Sequence, residues 1–142
     1  IPNFIVSALQ DKPLTIHGDG NSSRDWLFVE DTCRALDKIL HVDRKKVIGE
    51  TINLGTGSDT CVLDIGQKVL EKLDKPESML NYIKDRPGQV SCHISSTDKS
   101  KELLDWQAEI SLDTGLEKTI EFYKNNRQWW ERFIWMKELW GS

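Results

Sequence analysis

The chain has 142 residues and a formal net charge of −4, and 30% of its residues are charged. This length suits one domain with a modest hydrophobic core. The acidic balance excludes the basic footprint of a nucleic-acid-binding protein, and no apolar run is long enough to span a membrane.

Helical and strand patterns alternate along the first half of the chain. In order, we expect a helix over 3–9, a strand over 14–16, a glycine-rich loop over 18–23, a strand over 24–29 and a helix to His41. Asp31 and Thr32 are typical residues for the start of that helix. Its predicted apolar face consists of Cys33, Leu36, Ile39 and Leu40.

The same alternation continues through the second half. In order, the pattern predicts a buried strand over 50–54, a helix over 62–73, a strand over 79–83, a turn over 85–88 and helices over 97–104 and 112–123. The helix over 62–73 is strongly amphipathic, with Ile65, Val69, Leu70 and Leu73 facing inward. Strands mixed with helices predict a small mixed α/β domain.

The C-terminal segment is rich in tryptophan. Of six tryptophans in the chain, four lie within 129–142, where the spacing predicts a continuation of the last helix. We therefore divide the chain into a domain over 1–128 and a helical extension over 129–142. Two interpretations of the extension stay open: it packs against its own domain, or it docks onto another chain, since tryptophan is enriched at interfaces.

Cysteine and histidine are placed unfavourably for disulfides or metal. Cys33, Cys61 and Cys92 are far apart and odd in number, which favours a reducing compartment, and we expect a cytoplasmic protein. His41 and His93 have no partners at metal-ligand spacing, so we expect no metal site.

Residues 18–31 (GDGNSSRDWLFVED) are the most informative segment. A tight loop delivers Arg24 at the start of a predicted strand. A guanidinium held at such a junction is a planar fork that suits phosphate oxygens. The alternative is a surface salt bridge, to Asp25 or Asp31.

Three further residues are candidates for ligand contact. Asn53 lies near the end of the predicted strand over 50–54, where its amide offers donors and an acceptor to a sugar or phosphate, or else satisfies the adjacent turn. Arg86 belongs to the turn Asp-Arg-Pro-Gly over 85–88, which presents the side chain on a fixed loop. His17 precedes Gly18, either stacked beside a ligand or exposed on a turn. Gly55-Thr56-Gly57 lacks the third glycine of a dinucleotide fingerprint.

These segments resemble the extended short-chain dehydrogenase/reductases that act on nucleotide sugars, most of all the dTDP-glucose 4,6-dehydratases. The resemblance runs from residue 1 to about residue 130 and is carried by residues 18–31, by Asp85-Arg86-Pro87-Gly88 and by the helix around Gly115-Leu116. The chain departs from the dehydratases over residues 89–93, Gln-Val-Ser-Cys-His, where the family commonly has further basic residues. Of the family's Asp-x-Ser-Lys pattern only Lys99 is kept.

The resemblance implies roles for the four candidate residues. In the family, the arginine that matches Arg24 contacts the nucleotide diphosphate, and the one that matches Arg86 helps to hold the nucleotide. The asparagine that matches Asn53 faces the substrate. A tyrosine often stands at the position of His17, beside the base or sugar. The implied ligand is a dTDP- or UDP-hexose.

The resemblance also implies a part that this sequence does not contain. Full-length relatives have an NAD-binding Rossmann half with a Tyr-x-x-x-Lys pair, whereas Tyr82 and Tyr123 are followed four residues later by arginine. We therefore expect the nucleotide-sugar-binding portion of an NAD-dependent 4,6-dehydratase, without cofactor binding or catalysis of its own. The alternatives are part of a UDP-hexose epimerase, or a free-standing interaction module. In either case apolar surface left uncovered predicts a homo-oligomer.

Overall fold

The computed structural model describes residues 1–134. Within them the helices are α1 (Pro2–Leu9), α2 (Val29–His41), α3 (Val62–Lys72), α4 (Asp98–Leu104), α5 (Leu112–Asn125) and α6 (Arg127–Glu131). The strands are β1 (Leu14–His17), β2 (Ser23–Arg24), β3 (Thr60–Cys61), β4 (Leu80–Ile83) and β5 (Cys92–His93). This mixture confirms the predicted small α/β domain.

The main core is built around one parallel pair of strands. β1 and β4 run side by side, with Leu14 opposite Leu80 and His17 opposite Ile83. α1, α3 and α5 bury their apolar faces against this pair, and the fully or nearly buried cluster consists of Phe4, Ile5, Ala8, Leu14, Ile16, Ile65, Val69, Leu70, Leu116 and Ile120. The predicted inward positions of α3 are confirmed, except that Leu73 is only partly buried.

A second sheet is very short and has the order β3-β2-β5. β2 pairs antiparallel with β3 and parallel with β5, so that Arg24 lies opposite Thr60 on one side and His93 on the other. The predicted strand over 24–29 is therefore wrong beyond Arg24. The backbone leaves the sheet at Asp25, and α2 begins at Val29, two residues before the predicted start.

The predicted apolar face of α2 is wrong for three of its four residues, and only Ile39 packs partly buried against the second, smaller core of Ala35, Leu104 and Trp106. Leu36 and Leu40 are 53% and 80% exposed, and Cys33 is exposed as well. The face that turns inward carries Asp31 and Ala35. A count of apolar spacing misses this face because its central residue is a carboxylate whose burial depends on hydrogen bonds from distant backbone.

Those hydrogen bonds join α2 to the segment before α5. The carboxylate of Asp31 is fully buried and accepts from the backbone N–H groups of Glu109 and Ile110 and from Arg34. Trp106, also buried, donates its indole N–H to the carbonyl oxygen of Asp31 at 3.1 Å. Trp106 packs with Ala35 and Leu104 in a second, smaller core.

Residues 50–54 do not form the predicted strand. Within the described part of the chain they have no strand partner, and Ile52 and Leu54 instead pack partly buried against the second core. Glu50 pairs with Lys99 of α4, at 2.8 Å between Oε2 and Nζ. Side-chain packing thus replaces backbone pairing in this segment.

α6 folds back onto the end of α5. Trp130 is buried and donates its indole N–H to the carbonyl oxygen of Tyr123 at 2.8 Å. Trp129 and Phe133 remain about half exposed, in edge-to-face contact with each other, and Trp129 also meets Phe122. The rest of the predicted extension, including Trp135 and Trp140, lies outside the described residues, and the domain boundary at 128 stays a prediction. No helix among residues 1–134 is long and apolar enough to cross a membrane.

Candidate functional site

His17 and Arg86 meet at the carboxyl ends of the two parallel strands. His17 is the last residue of β1, and Arg86 follows β4 by three residues. A guanidinium nitrogen of Arg86 lies 2.9 Å from Nε2 of His17. The turn over 85–88 is therefore held against β1 by a side-chain hydrogen bond.

Gly18 allows this close approach. It has a φ of +60°, and a Cβ atom there would lie 3.0 Å from Cγ of Asp85. Its backbone N–H donates to the carbonyl oxygen of Ile83 at 3.0 Å. A side chain at position 18 would push the segment that carries Arg86 away from His17.

Arg24 contacts the chain at Val90, two residues beyond the turn over 85–88. Its Nη1 donates to the carbonyl oxygens of Ser23 and Val90, at 2.6 and 2.9 Å. Neither carboxylate of the salt-bridge alternative binds it, because Asp25 and Asp31 have other partners. Among residues 1–134, Nε and Nη2 of Arg24 have no hydrogen-bond partner, and the side chain is half-buried.

Asp25 ties the glycine-containing loop to β2. Its carboxylate accepts from the N–H and the hydroxyl of Thr56, at 2.8 and 2.7 Å, and from the N–H of Gly57 at 3.2 Å. A more distant N–H, that of Ser95, lies 3.4 Å away. A Cβ at Gly55 would lie 2.4 Å from Oδ2 of Asp25, so only glycine fits there.

Asn53 is exposed and lies two residues before Gly55. Among residues 1–134 it makes no hydrogen bond with Arg24, whose partners are Ser23 and Val90, and its place near β2 follows from the attachment of the adjoining loop to Asp25. The structure thus joins His17 directly to Arg86, joins Arg24 to the same segment through Val90, and leaves Asn53 on the neighbouring loop.

Asp25 is a residue that sequence reasoning missed, since it entered only as a possible salt-bridge partner of Arg24. A signal was present, because an acid beside Arg24 and a downstream Gly-Thr-Gly together have the chemistry of a carboxylate bound by backbone N–H groups. Distance along the chain, 31 residues, hides such a pair from local patterns.

The acidic groups around this surface are satisfied by local donors. A hydrogen bond from the side chain of Ser23 and a weaker one from Cys92 hold the pKa of Asp59 below its usual value. Hydrogen bonds from the backbone and side chain of Asn21 do the same for Asp19. These carboxylates are ionised at neutral pH, so a bound anion would depend on Arg24 and Arg86 for compensation.

Two cavities lie beside this surface. One of about 380 Å³ is lined by Trp26, Thr56, Ser58, Thr60 and residues 108–112. The other, of about 450 Å³, is an apolar groove that includes Trp26, Phe28, Leu112, Leu116 and Tyr123. The indole N–H of Trp26, between them, donates to the carbonyl oxygen of Thr60 at 2.9 Å.

The arrangement of the two arginines suits the binding of a phosphate-bearing ligand. In Arg24 one guanidinium nitrogen is anchored, and the other two have no hydrogen-bond partner among residues 1–134, so this free edge suits a diphosphate. A second guanidinium, oriented by an imidazole, lies across the same loop. By contrast, the N–H groups of Thr56 and Gly57 are occupied by Asp25, so they do not fit the pyrophosphate of a dinucleotide.

Comparison with known protein families identifies the family to which the chain belongs. Residues 1–119 match the family described as GDP-mannose 4,6 dehydratase. The chain belongs to the GDP-mannose 4,6-dehydratase family. It corresponds to the C-terminal part of such enzymes.

Individual relatives and solved structures are similar to this chain over most of its length. The dTDP-glucose 4,6-dehydratase of Escherichia coli is 36% identical over an alignment of 145 positions, and the alignment covers 94% of this chain and 39% of that enzyme. The structure of dTDP-glucose 4,6-dehydratase from Bacillus anthracis, in complex with NAD, is 30% identical and covers 92% of this chain and 40% of that one, with a TM-score of 0.82. The structure of an epimerase from Methanothermobacter thermautotrophicus is 34% identical, with a TM-score of 0.84. The match covers 92% of this chain and 38% of the epimerase chain.

The chain therefore spans about two fifths of the length of these relatives. Both dehydratases and epimerases share its fold. The resemblance stated from the sequence is confirmed at the level of family and fold, and NAD is bound by the Bacillus anthracis relative.

Proposed function

We propose that this chain binds the nucleoside diphosphate of a nucleotide sugar and serves as the substrate-holding part of an NAD-dependent sugar-nucleotide 4,6-dehydratase. The supporting observation is the anchoring of Arg24, whose Nη1 is bound to the carbonyls of Ser23 and Val90 while its remaining nitrogens have no partner among residues 1–134. A fork fixed in this way loses little freedom when it binds a diphosphate.

The other candidate residues take complementary roles. Arg86, held by His17, neutralises the second phosphate. Asn53 faces the sugar or the base. The proposed ligand is a dTDP- or UDP-hexose, and NAD belongs to a cofactor half that this chain does not supply, since the Gly-Thr-Gly loop binds its own aspartate.

A UDP-hexose epimerase is the second candidate for the whole enzyme. The similarity to the Methanothermobacter thermautotrophicus epimerase favours it. Both candidates require the same diphosphate contacts, so this chain's part is the same in each. The three cysteines are free thiols, which supports the proposed cytoplasmic location.

Calorimetry with dTDP-glucose and UDP-glucose, together with a product assay in the presence of NAD, tests the proposal. We expect weak binding and no turnover by the 142-residue chain. Product formation would contradict the assignment of a binding role alone. The mass of the native gene product separates an enzyme from a free-standing module, since two domains need about 300 residues or more.

A further inference from the structure

The ring of His17 has one nitrogen in use and one without a partner. Nε2 lies 2.9 Å from Nη2 of Arg86, while Nδ1 is buried and has no hydrogen-bond partner among residues 1–134. A guanidinium has only donors, so Nε2 accepts and the ring proton of the neutral imidazole lies on Nδ1. The contact with Arg86 thus fixes the tautomer, although Nδ1–H remains unsatisfied.

An unsatisfied buried donor is unfavourable, and such groups are rare in folded proteins. The ring nonetheless lies with Nε2 toward Arg86. Gly18, directly after it, brings the backbone of β1 against Asp85, the residue before Arg86. Two independent contacts therefore bring the end of β1 to the turn over 85–88.

We propose that His17 is a positioning residue, which holds the guanidinium of Arg86 in place for the diphosphate as a neutral, Nδ1-protonated imidazole. The inference rests on the proposed nucleotide-sugar binding and assigns His17 a different task from stacking on the base. A further consequence is pH dependence. Protonated His17 has no lone pair, so a donor would face a donor and two positive charges would adjoin.

Among residues 1–134, the titratable groups next to this pair in sequence or in strand register are the following. Asp85 and Lys84 come from the segment after β4, Tyr82 from β4 itself, and Asp19 from the loop after β1. The N–H of Arg86 donates to its neighbour Asp85 at 2.8 Å, and Asp19 is bound by Asn21. Imidazole is the group in this set whose nitrogen changes from an acceptor to a donor when it gains a proton.

Nitrogen NMR of the imidazole rings tests the pairing without any ligand. The wild-type chain is expected to show His17 as the Nδ1–H tautomer at pH 8, with the signal assigned by its loss in His17→Gln. In Arg86→Ala the ring is expected to lose this fixed tautomer, whereas His41→Gln, a remote substitution on α2, leaves it unchanged. An Nε2–H tautomer in the wild-type chain would overturn the proposal.

Titration with UDP-glucose tests the role. Its diphosphate is esterified at both ends and keeps its charge between pH 5.5 and 8. His17→Gln supplies an amide oxygen that accepts from Arg86 without titrating, while His17→Phe keeps an aromatic ring but has no acceptor. At pH 8 we expect wild-type affinity for His17→Gln and an affinity about tenfold lower for His17→Phe, the loss of one charged hydrogen bond.

Acidification to pH 5.5 separates direct from indirect action. Affinity should fall in the wild-type chain and stay constant in His17→Gln. Wild-type affinity in His17→Phe would show that the ring acts by stacking, and a rise in wild-type affinity at pH 5.5 would show a direct contact with the phosphate; either overturns the inference. If no variant binds UDP-glucose, the proposed function fails, and the tautomer in wild type and Arg86→Ala decides the pairing by itself.

Discussion

Thr56 is bound to Asp25 through two of its own groups, its backbone N–H and its hydroxyl, at 2.8 and 2.7 Å. These two residues are 31 positions apart in the chain. Asp25 directly follows Arg24, so the pair fixes the loop that contains Asn53 and Gly55 beside the strand that carries the candidate diphosphate ligand. The Gly-Thr-Gly loop is consequently an internal anion site occupied by the protein's own carboxylate.

Replacing Asp25 should therefore destabilise the domain. Asp25→Ala removes the acceptor for Thr56 and Gly57, and we expect the free energy of unfolding to fall by about 1.5–3 kcal/mol, the range for charged hydrogen bonds. Urea denaturation measures this change. Asp37→Ala, on the exposed side of α2, is the matched control and should change stability by less than about 0.5 kcal/mol. Equal stability of the two variants would contradict the anchoring role.

Asp31 should make stability depend on pH in the acid range. Burial works to raise its pKa, but hydrogen bonds from Arg34 and from the N–H groups of Ile110 and Glu109 outweigh it, so the pKa lies below its usual value of 3.8. A lowered pKa in the folded state means that this stabilisation is complete above the unfolded pKa and is lost as pH falls from about 4 through the folded value.

The variant Asp31→Asn tests this. Its unfolding free energy should be lower than that of wild type at pH 6, with a smaller further decrease between pH 4 and 2.5 in urea titrations. Part of the decrease will persist, because Asp113, whose pKa is lowered by its hydrogen bond with Lys68, also contributes. If the unfolding free energy of Asp31→Asn falls between pH 4 and 2.5 as steeply as that of the wild type, Asp31 does not contribute this pH dependence.

Periodicity predicted the elements of the main core well, because α3 and α5 bury apolar residues at regular helical spacing. It failed at α2, where the buried face is centred on Asp31, and at 50–54, where apolar residues pack without a strand partner. In both places tertiary hydrogen bonds or packing between distant segments decide the structure, and local patterns do not contain them.

The candidate site was predictable as a set of residue types, not as an arrangement. Arg24 and Arg86 stood out because tight turns present them. Their connection through Val90, and the contact of Arg86 with His17, depend on how β4 and β5 return to β1 and β2. Whether these residues bind a nucleotide sugar stays a prediction.

Substitutions at Arg24 should separate charge from geometry. Arg24→Ala is expected to weaken UDP-glucose or dTDP-glucose binding by about 1.5–3 kcal/mol, and Arg24→Lys also to weaken it, since a point charge cannot replace a fork. Calorimetry measures both. Arg44→Ala, in an exposed turn after α2, keeps the same net charge as Arg24→Ala and should bind as wild type. An Arg24→Lys variant with unchanged affinity would exclude bidentate contact.

The exposed aromatic side chains near the ends of α5 and α6 predict self-association. Phe122, Trp129 and Phe133 are 46%, 48% and 43% exposed and contact one another in sequence. Covering large apolar side chains yields about 1.5–3 kcal/mol each when burial is complete, and several are needed to exceed an association cost of at least about 4 kcal/mol. We expect a two-fold dimer.

Analytical ultracentrifugation of the wild-type chain, of Trp129→Gln and of a chain truncated after Gln128 checks this. Dimerisation should weaken in Trp129→Gln and be lost on truncation. A wild-type chain that stays monomeric at high micromolar concentration would refute self-association. A truncated chain that still dimerises would place the interface elsewhere, with the apolar groove between Trp26 and Tyr123 the next surface to alter.

The central claim is that the surface around Arg24 and Arg86 holds a nucleoside diphosphate, and amide NMR of the wild-type chain titrated with UDP-glucose tests it most directly. The account predicts saturable shifts over residues 17–24 and 84–93, smaller shifts over 53–57, and none from glucose alone. Shifts confined to residues that line the apolar groove, or no shifts at millimolar ligand, would contradict it.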